Sequence, residues 1–333
     1  MRKKICGLNG FGRFGLHLLR YWLININVSK FVIHYINDDT LSIHQIYNII
    51  RNDQYVTFKD FKIQKKSNLL LIFKKEKKKK IAEIIVTKNK QKEISWLGEP
   101  DIFFECSGKN TKKKDCKFFL KKNTKLIMIS ATSYDCDQTL IYGFNHEKYR
   151  KSSRIISYGS CTVDAYIPLA DWINKNFRVS SSDLNIVHNT PDYKIMEYGK
   201  DSIAVHSCSL EKIGPKLLYF LNKNNFHINY TLIPFSGVSI IDFRFKIKKK
   251  ITKKSFINSI KQEISKYSLK NLYSLEKTDK HPNFFKLSRN SANLIEESIK
   301  LKKDNIYIHG YFDNENSANR YFDLVNFICK KNN

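Results

Sequence analysis

Three glycines near the start of the chain have the spacing of a turn that holds a pyrophosphate. Gly10, Gly12 and Gly15 follow an apolar strand predicted over Lys3–Leu8 and open an amphipathic helix predicted to run to about Ile24. The first glycine allows a tight turn, the second lets the backbone approach a phosphate, and the third lets helix and strand pack closely. The helix N-terminus then attracts the phosphate charge. The pattern predicts a dinucleotide site, with three unrelated turn glycines as the alternative.

A carboxylate after the second predicted strand, Phe31–Ile36, specifies the nucleotide. Asp38 lies 23 positions beyond Gly15, where a carboxylate can accept both hydroxyls of an adenosine ribose. A 2′-phosphate at that position would be repelled by Asp38 and by its neighbour Asp39. The sequence therefore predicts NAD, and not NADP, as the cofactor.

A second set of reactive residues lies in the middle of the chain. Ser160 is predicted to cap a helix over Thr162–Lys175, which places Cys161 at the helix N-terminus. The positive end of a helix dipole lowers the pKa of such a thiol and favours a nucleophilic thiolate. His188 ends the apolar run Leu184–Val187, where an imidazole can remove a proton from a substrate hydroxyl. A buried free cysteine and a structural histidine are the alternatives that these local patterns leave open.

The elements that must position these residues fall into two groups. Strands alternate with helices up to about residue 157, and longer runs of alternating apolar residues follow. The fold class is therefore predicted to be α/β, with a doubly wound parallel Rossmann sheet and a second α+β domain that has a mixed or antiparallel sheet. We expect an NAD-binding domain over residues 1–157 and a catalytic domain over residues 158–315. A C-terminal helix over residues 316–331 is predicted to pack back on the first domain.

The composition narrows the class of protein. The 333 residues include 59 Lys and Arg against 31 Asp and Glu, a net charge of +28. Such a charge attracts nucleic acid non-specifically, but the lysines are spread along the chain and no RNA-binding aromatic motif accompanies them. No apolar window reaches the roughly 18–20 residues of a membrane span, and no signal peptide is recognisable. The seven scattered cysteines indicate reduced thiols. We expect a cytoplasmic protein without a metal site or membrane association.

Nine segments, in order along nearly the whole chain, resemble glyceraldehyde-3-phosphate dehydrogenases. They are Gly7–Gly15, Ile36–Asp38, Trp96 with Glu105–Gly108, Ile129–Ala131, Gly143–Tyr149, Ser160–Thr162 with Pro168–Ala170, Val187–His188, Val238–Asp242, and Asp313–Glu315 with Asn319–Arg320. The resemblance implies NAD-dependent, phosphorylating oxidation of glyceraldehyde 3-phosphate, or of a related sugar-phosphate aldehyde, to an acyl phosphate. Cys161 would be the nucleophile that forms a thiohemiacetal and then a thioacyl enzyme, and His188 would be its base.

The resemblance also implies which residues contact ligands. Those expected to contact NAD are Asn9, Gly10, Phe11, Gly12, Arg13, Phe14, Gly15, Asp38, Ser107, Gly108, Ser130 and Asn314. Those expected to hold the attacking inorganic phosphate are Ser160, Thr162 and Ser207. A homo-oligomer is implied as well, since the family forms tetramers.

The chain departs from the family where the substrate's own phosphate would bind. Leu232 stands in place of an arginine, and Pro191 stands in place of a threonine. Loss of the arginine removes a bidentate phosphate clamp. The cations that could replace it are Lys194, Lys200 and Lys212.

Other departures concern assembly and role. The segment from His188 to Ser207 is shorter than usual, which puts the tetramer in doubt and leaves a dimer possible. Ala165 replaces the second cysteine of the usual pair, a change that leaves the chemistry intact. The function left as an alternative is a divergent NAD-binding protein without glycolytic activity, serving a basic nucleic-acid-binding or regulatory role.

Overall fold

The protein is built as two compact units, each with its own sheet. The computed structural model describes residues 2–76, 78–191, 195–196, 199–200, 202–234, 237–313 and 317–332. Unit 1 comprises Met1–Gly159 together with Ala318–Asn333, and unit 2 comprises Ser160–Ser317. Within the described ranges, no helix is both long and apolar enough to span a bilayer.

Unit 1 contains a nine-stranded sheet in the order β3-β4-β5-β2-β1-β6-β7-β9-β8. Its N-terminal elements are β1 (Lys4–Asn9), α1 (Arg13–Ile24), β2 (Phe31–Asn37), α2 (Ile43–Asn52), β3 (Phe61–Lys66), β4 (Leu69–Lys74), β5 (Lys79–Thr87), β6 (Ile102–Glu105), α3 (Lys113–Cys116), β7 (Leu126–Ile129), β8 (Gln138–Thr139) and β9 (Ile155–Ser157). From β5 to β8 in the sheet order all pairs are parallel, whereas the β3–β4 and β4–β5 pairs are antiparallel. The predicted doubly wound parallel sheet is confirmed.

One predicted helix of unit 1 is much shorter than expected. The pattern indicates a helix over residues 111–121, but α3 spans only Lys113–Cys116 and a 3-10 turn follows at Lys117–Phe119. Lys112 caps this helix and two more lysines begin it. Cations at the positive end of a helix dipole are unfavourable, which weakens the start of this helix.

The C-terminal helix, Ala318–Lys331, packs within unit 1. The ring of Phe322 meets that of Tyr21 edge to face, with centroids 5.1 Å apart. The buried Tyr321 hydroxyl donates to the carbonyl of Met128 at 2.8 Å. Burial of these rings against α1 and β7 ties the end of the chain to the parallel sheet.

Unit 2 contains an eight-stranded sheet with both parallel and antiparallel pairs. Its elements are α4 (Cys161–Phe177), β10 (Val179–Thr190), β11 (Ala204–Val205), α5 (Ser209–Leu217), β12 (Phe226–Pro234), β13 (Val238–Ile247), α6 (Lys253–Lys266), β14 (Tyr273–Glu276), β15 (Ala292–Ile295), β16 (Lys300–Lys302) and β17 (Asn305–Asp313). The sheet order is β11-β12-β10-β13-β17-β15-β14, and β16 pairs with β17. The predicted mixed second sheet is confirmed.

Helix α4 packs on one face of this sheet and contains a proline. The buried ring of Tyr166 stacks on Phe226, with centroids 5.4 Å apart. Pro168 removes a backbone donor from the helix interior. The Tyr273 hydroxyl compensates, because it donates to the Ala165 carbonyl at 2.9 Å and accepts the Leu169 N–H at 3.1 Å. The helix therefore continues unbroken behind Cys161.

Candidate functional site

In unit 1, a buried polar network joins the carboxyl ends of three parallel strands. The Asn9 amide at the end of β1 donates to Glu105 at 2.9 Å, and its side-chain oxygen accepts from Asn37 at 3.0 Å. Glu105 also accepts the amide of Asn110 and the N–H of Ser107. Burial raises the pKa of Glu105, although these hydrogen bonds act in the opposite direction. Sequence reasoning assigned no role to Glu105; its signal was an acidic residue ending an otherwise apolar strand.

The glycine turn lies directly above this network. Gly10 has φ +94°, and a Cβ there would lie 2.4 Å from the Ser107 Cα. A Cβ on Gly15 would lie 2.6 Å from the Gly10 carbonyl oxygen. A Cβ on Gly12, in contrast, would meet no atom within 4 Å. The first and third glycines are required by packing, whereas the second faces open space at the N-terminus of α1.

The predicted ribose ligand, Asp38, closes this turn. Its Oδ2 accepts the N–H of Phe11 at 2.8 Å, and its Oδ1 accepts the N–H groups of Thr40 and Leu41 and the Thr40 hydroxyl. Burial alone would raise the pKa of Asp38, but these hydrogen bonds together lower it. The carboxyl group is therefore ionised at neutral pH and held beside the glycine turn.

Two neighbouring charges are paired in ways that the sequence did not indicate. Lys109 forms an ion pair with Asp39, which offsets the negative charge expected to repel a 2′-phosphate. Arg13 forms an ion pair with Asp53, and its guanidinium lies 5.9 Å from the ring centroid of Tyr55. The predicted exclusion of NADP would thus depend mainly on Asp38.

The remaining residues predicted to contact NAD lie in different surroundings. The ring of Phe11 is buried in the apolar core of unit 1, and the partly buried ring of Phe14 packs against that core. Ser107 and Gly108 follow β6, and the N–H of Ser130 donates to the Glu105 carbonyl at 2.9 Å. Asn314 lies outside the described residues.

In unit 2, the structure brings Cys161 and His188 together. The Sγ of Cys161, the first residue of α4, lies 3.4 Å from Nε2 of His188, near the end of β10. The His188 ring lies between two aromatic rings, with centroid distances of 5.4 Å to Tyr230 and 5.9 Å to Phe312. This geometry allows the imidazole to accept the thiol proton.

The helix dipole was expected to lower the pKa of the Cys161 thiol, but in the structure this pKa is raised. Burial, and to a smaller extent the nearby Cys208, raise the pKa of the Cys161 thiol to about 12, although the backbone N–H of Thr162 acts in the opposite direction. Desolvation of the thiolate exceeds the favourable field of one helix N-terminus. The thiol is therefore neutral at pH 7, and a thiolate requires proton transfer to His188.

A chain of hydroxyl groups surrounds the start of α4. Ser160 caps the helix, and its Oγ lies 3.2 Å from Oγ1 of Thr162 and 3.3 Å from Oγ of Ser209. Ser209 is the first residue of α5, so two helix N-termini meet here. The predicted Ser207 is exposed, and its carbonyl is bonded to the His206 ring. The structure thus brings Ser209, which the sequence did not single out, to Ser160, and the predicted role of Ser207 stays a prediction.

The position of the absent arginine is occupied by packed apolar groups. Leu232 is only 5% exposed and forms a cluster with Ile195 and Ala204. Lys200 and Lys212 are exposed on the surface, and Lys194 lies outside the described residues. Neither Lys200 nor Lys212 is therefore buried beside Leu232 as a replacement for the arginine.

Comparison with known proteins agrees with the order of the motifs. No family model matches the sequence. The chain is 25% identical to the glyceraldehyde-3-phosphate dehydrogenase of Priestia megaterium over 339 residues, covering 98% of each chain. It is 26% identical to that of Helicobacter pylori, covering 96% of this chain and 98% of the relative, and 26% identical to glyceraldehyde-3-phosphate dehydrogenase 3 of Caenorhabditis elegans, covering 99% and 100%. Over nearly its full length, the chain is similar to glyceraldehyde-3-phosphate dehydrogenases.

Proposed function

We propose that this protein is an NAD-dependent, phosphorylating aldehyde dehydrogenase. The names of its relatives suggest glyceraldehyde 3-phosphate as the aldehyde. The observation that carries the proposal is the contact of 3.4 Å between the Cys161 thiol and the His188 imidazole, beside three hydroxyl groups at two helix N-termini. A nucleophile, a base and an anion site are the three parts that phosphorylating acyl transfer requires.

The residues of unit 1 fit NAD. The open space at Gly12 and the N-terminus of α1 suit a pyrophosphate, and Asp38 is held as a carboxylate where a ribose hydroxyl can donate to it. When bound, NAD supplies a hydride acceptor for the oxidation. The predicted contacts of Ser107, Gly108 and Ser130 remain predictions.

The residues of unit 2 supply nucleophilic and acid–base chemistry. His188 accepts the thiol proton, and the Cys161 thiolate attacks the aldehyde carbon to form a carbon–sulfur bond. Protonated His188 and backbone N–H groups at the start of α4 stabilise the resulting oxyanion. His188 then gives this proton to the oxyanion, which becomes a hydroxyl. When that carbon is oxidised, for which bound NAD would supply the hydride acceptor, His188 takes the hydroxyl proton back and Cys161 carries a thioester.

Release of the product needs a second nucleophile. We propose that inorganic phosphate is held by Ser160, Thr162 and Ser209 in the positive field of α4 and α5. A phosphate oxygen attacks the thioester carbon, the carbon–sulfur bond breaks, and the thiolate of Cys161 leaves. The product is an acyl phosphate. A homo-oligomer and a cytoplasmic location remain predictions.

The test is a panel of aldehydes with NAD, with and without phosphate or arsenate, followed by the absorbance of NADH. We expect phosphate-dependent NADH formation that falls by about 10³-fold or more in Cys161→Ser. Cys136→Ser is the matched control, because Cys136 is also only partly buried but lies in unit 1. NAD binding without turnover of any aldehyde would reject the enzymatic proposal and favour the non-catalytic alternative.

A further inference from the structure

Two thiols of unit 2 lie where two helices begin. Cys161 is the first residue of α4, and Cys208 directly precedes α5, which starts at Ser209. All seven cysteines of the chain are described as free thiols, and the other five belong to unit 1. Within unit 2, Cys161 and Cys208 therefore have only each other as a possible disulfide partner.

Two side-chain contacts bracket Cys161 and join it to the start of α5. Oγ of Ser160, one residue before Cys161, lies 3.3 Å from Oγ of Ser209. Oγ1 of Thr162, one residue after it, lies 3.5 Å from Sγ of Cys208. Cys208 also acts electrostatically on the Cys161 thiol, an effect that decreases with distance. The segments that carry the two thiols are thus adjacent, which is the arrangement that a disulfide requires.

The two thiols differ in their exposure to solvent. Cys161 is partly exposed, whereas Cys208 is only 5% exposed, so a small oxidant in solution reaches Cys161 first. His188, whose Nε2 lies 3.4 Å from the Cys161 Sγ, can take the thiol proton and leave the thiolate that attacks an oxidant. One turn further along α4 stands Ala165, so the helix itself supplies no second thiol there.

We propose that Cys208 is a resolving cysteine, which closes a disulfide with Cys161 after hydrogen peroxide has oxidised Cys161 to a sulfenic acid. In the first step, the Cys161 sulfur takes one peroxide oxygen and a water leaves. In the second step, the Cys208 sulfur attacks the sulfenic sulfur and a sulfur–sulfur bond forms. The sulfenic hydroxyl then leaves as a second water with the Cys208 proton. Two thiols are oxidised, and one peroxide is reduced to two waters.

The disulfide protects Cys161 and makes its oxidation reversible. A thiol reductant opens the disulfide, whereas excess peroxide carries an unresolved sulfenic acid on to a sulfinic acid, which thiols do not reduce. Burial raises the pKa of both thiols, so closure should be slower at pH 7 than at pH 9. The bond forms without aldehyde, NAD or phosphate, and the inference therefore does not depend on the proposed function.

The test is mass spectrometry of the ligand-free protein after limited hydrogen peroxide at about pH 8, with the remaining thiols blocked before digestion. Trypsin separates the two cysteines into the peptides 155–175 and 201–212. We expect these two peptides to be linked in wild type and released by dithiothreitol. Oxidation of Cys161 without a link, a link from Cys161 to a cysteine of unit 1, or a link between two copies of the chain would overturn the inference.

Substitution of Cys208 separates its resolving role from the reactivity of Cys161 alone. With Cys208→Ser, excess peroxide should leave Cys161 as the sulfinic acid, and the fraction of free Cys161 recovered by dithiothreitol should fall about tenfold or more below wild type. Cys116→Ser is the matched control and should recover like wild type, because Cys116 is also a buried free thiol but lies in unit 1. Cys208→Ala replaces the serine variant if that variant does not fold.

Equal recovery of free Cys161 in wild type and in either Cys208 variant would refute the resolving role. Aldehyde oxidation gives a separate readout, since it should stop when the disulfide closes and return with dithiothreitol. An untreated protein that oxidises no aldehyde but forms the linked peptides would reject the proposed function and support this inference.

Discussion

The glycine turn of unit 1 and the cysteine–histidine pair of unit 2 are positioned by different kinds of contact. The turn is fixed by backbone geometry and by buried polar groups, each bonded to the next, as in Asn9 and Glu105. The pair is one side-chain contact between a helix and a strand, set among aromatic and aliphatic groups. The first arrangement depends on the shape of the main chain, and the second on the chemistry of a few side chains.

This difference predicts how each site responds to substitution. A change in the turn should affect folding unless it is made at the open position, Gly12. A change beside the pair should affect reactivity or specificity and leave the sheet intact, provided that no charge is buried.

The largest effect on folding is expected at Gly10. In Gly10→Ala the new Cβ would collide with the backbone of Ser107, and the residue would keep φ +94°. We expect a loss of about 3 kcal/mol or more in the free energy of unfolding, measured by urea denaturation. Gly12→Ala should unfold like the wild type but bind NAD about tenfold or more weakly by calorimetry. Equal stability of the two variants would show that the turn is not set by packing.

An arginine at position 232 should destabilise unit 2 without improving use of a phosphorylated aldehyde. Leu232 is packed against Ile195 and Ala204, so Leu232→Arg would bury an unpaired cation. We expect a loss of about 3 kcal/mol in unfolding free energy, against less than about 1.5 kcal/mol for the size-matched Leu232→Met. A stable arginine variant with improved kcat/KM for glyceraldehyde 3-phosphate would show that the position opens onto a phosphate site.

The reactivity of Cys161 should depend steeply on pH. Its pKa is raised to about 12 by burial, so the thiolate is a minor species and its fraction grows about tenfold for each pH unit below that value. The rate of alkylation by iodoacetamide in ligand-free protein should therefore rise about a hundredfold from pH 7 to pH 9. A flat profile would mean that Cys161 and His188 already form a thiolate–imidazolium pair.

Substitutions at Asp38 and Lys109 should have the smallest effect, a change in the preference for NAD over NADP. Asp38→Ala should narrow the preference for NAD over NADP, because its carboxylate is ionised and adjacent to the turn. Lys109→Ala should widen the preference by up to about tenfold, or about 1.4 kcal/mol, since it frees the charge of Asp39. Calorimetric titration of both nucleotides measures the change. A narrowed preference in Lys109→Ala would contradict the effect assigned to this ion pair.

Local patterns predicted the parts of the molecule that local geometry controls. The glycine spacing and the strand–helix alternation follow from backbone rules, so the parallel sheet and the turn at Gly10 could be anticipated. The proximity of Cys161 and His188 came from the family resemblance, because 27 residues separate them in the chain.

What the sequence did not predict depends on contacts between distant segments. Ser209 was not predicted, because its approach to Ser160 depends on where α5 begins. Likewise, the sequence did not predict that Leu232 packs against Ile195 and Ala204. Burial, which reverses the expected pKa of Cys161, is also a property of the assembled unit.

The hydroxyl of Tyr273 has a consequence for the order in which the protein folds. It bridges the proline break of α4 from a strand 104 residues beyond Leu169. Closing a loop of that length is entropically slow compared with forming a helical turn. Until β14 has been synthesised, the Ala165 carbonyl and the Leu169 N–H lack this partner beside Pro168, so we expect the helix that carries Cys161 to be completed late. A nascent chain truncated before Tyr273 would present the cysteine on an unfinished helix.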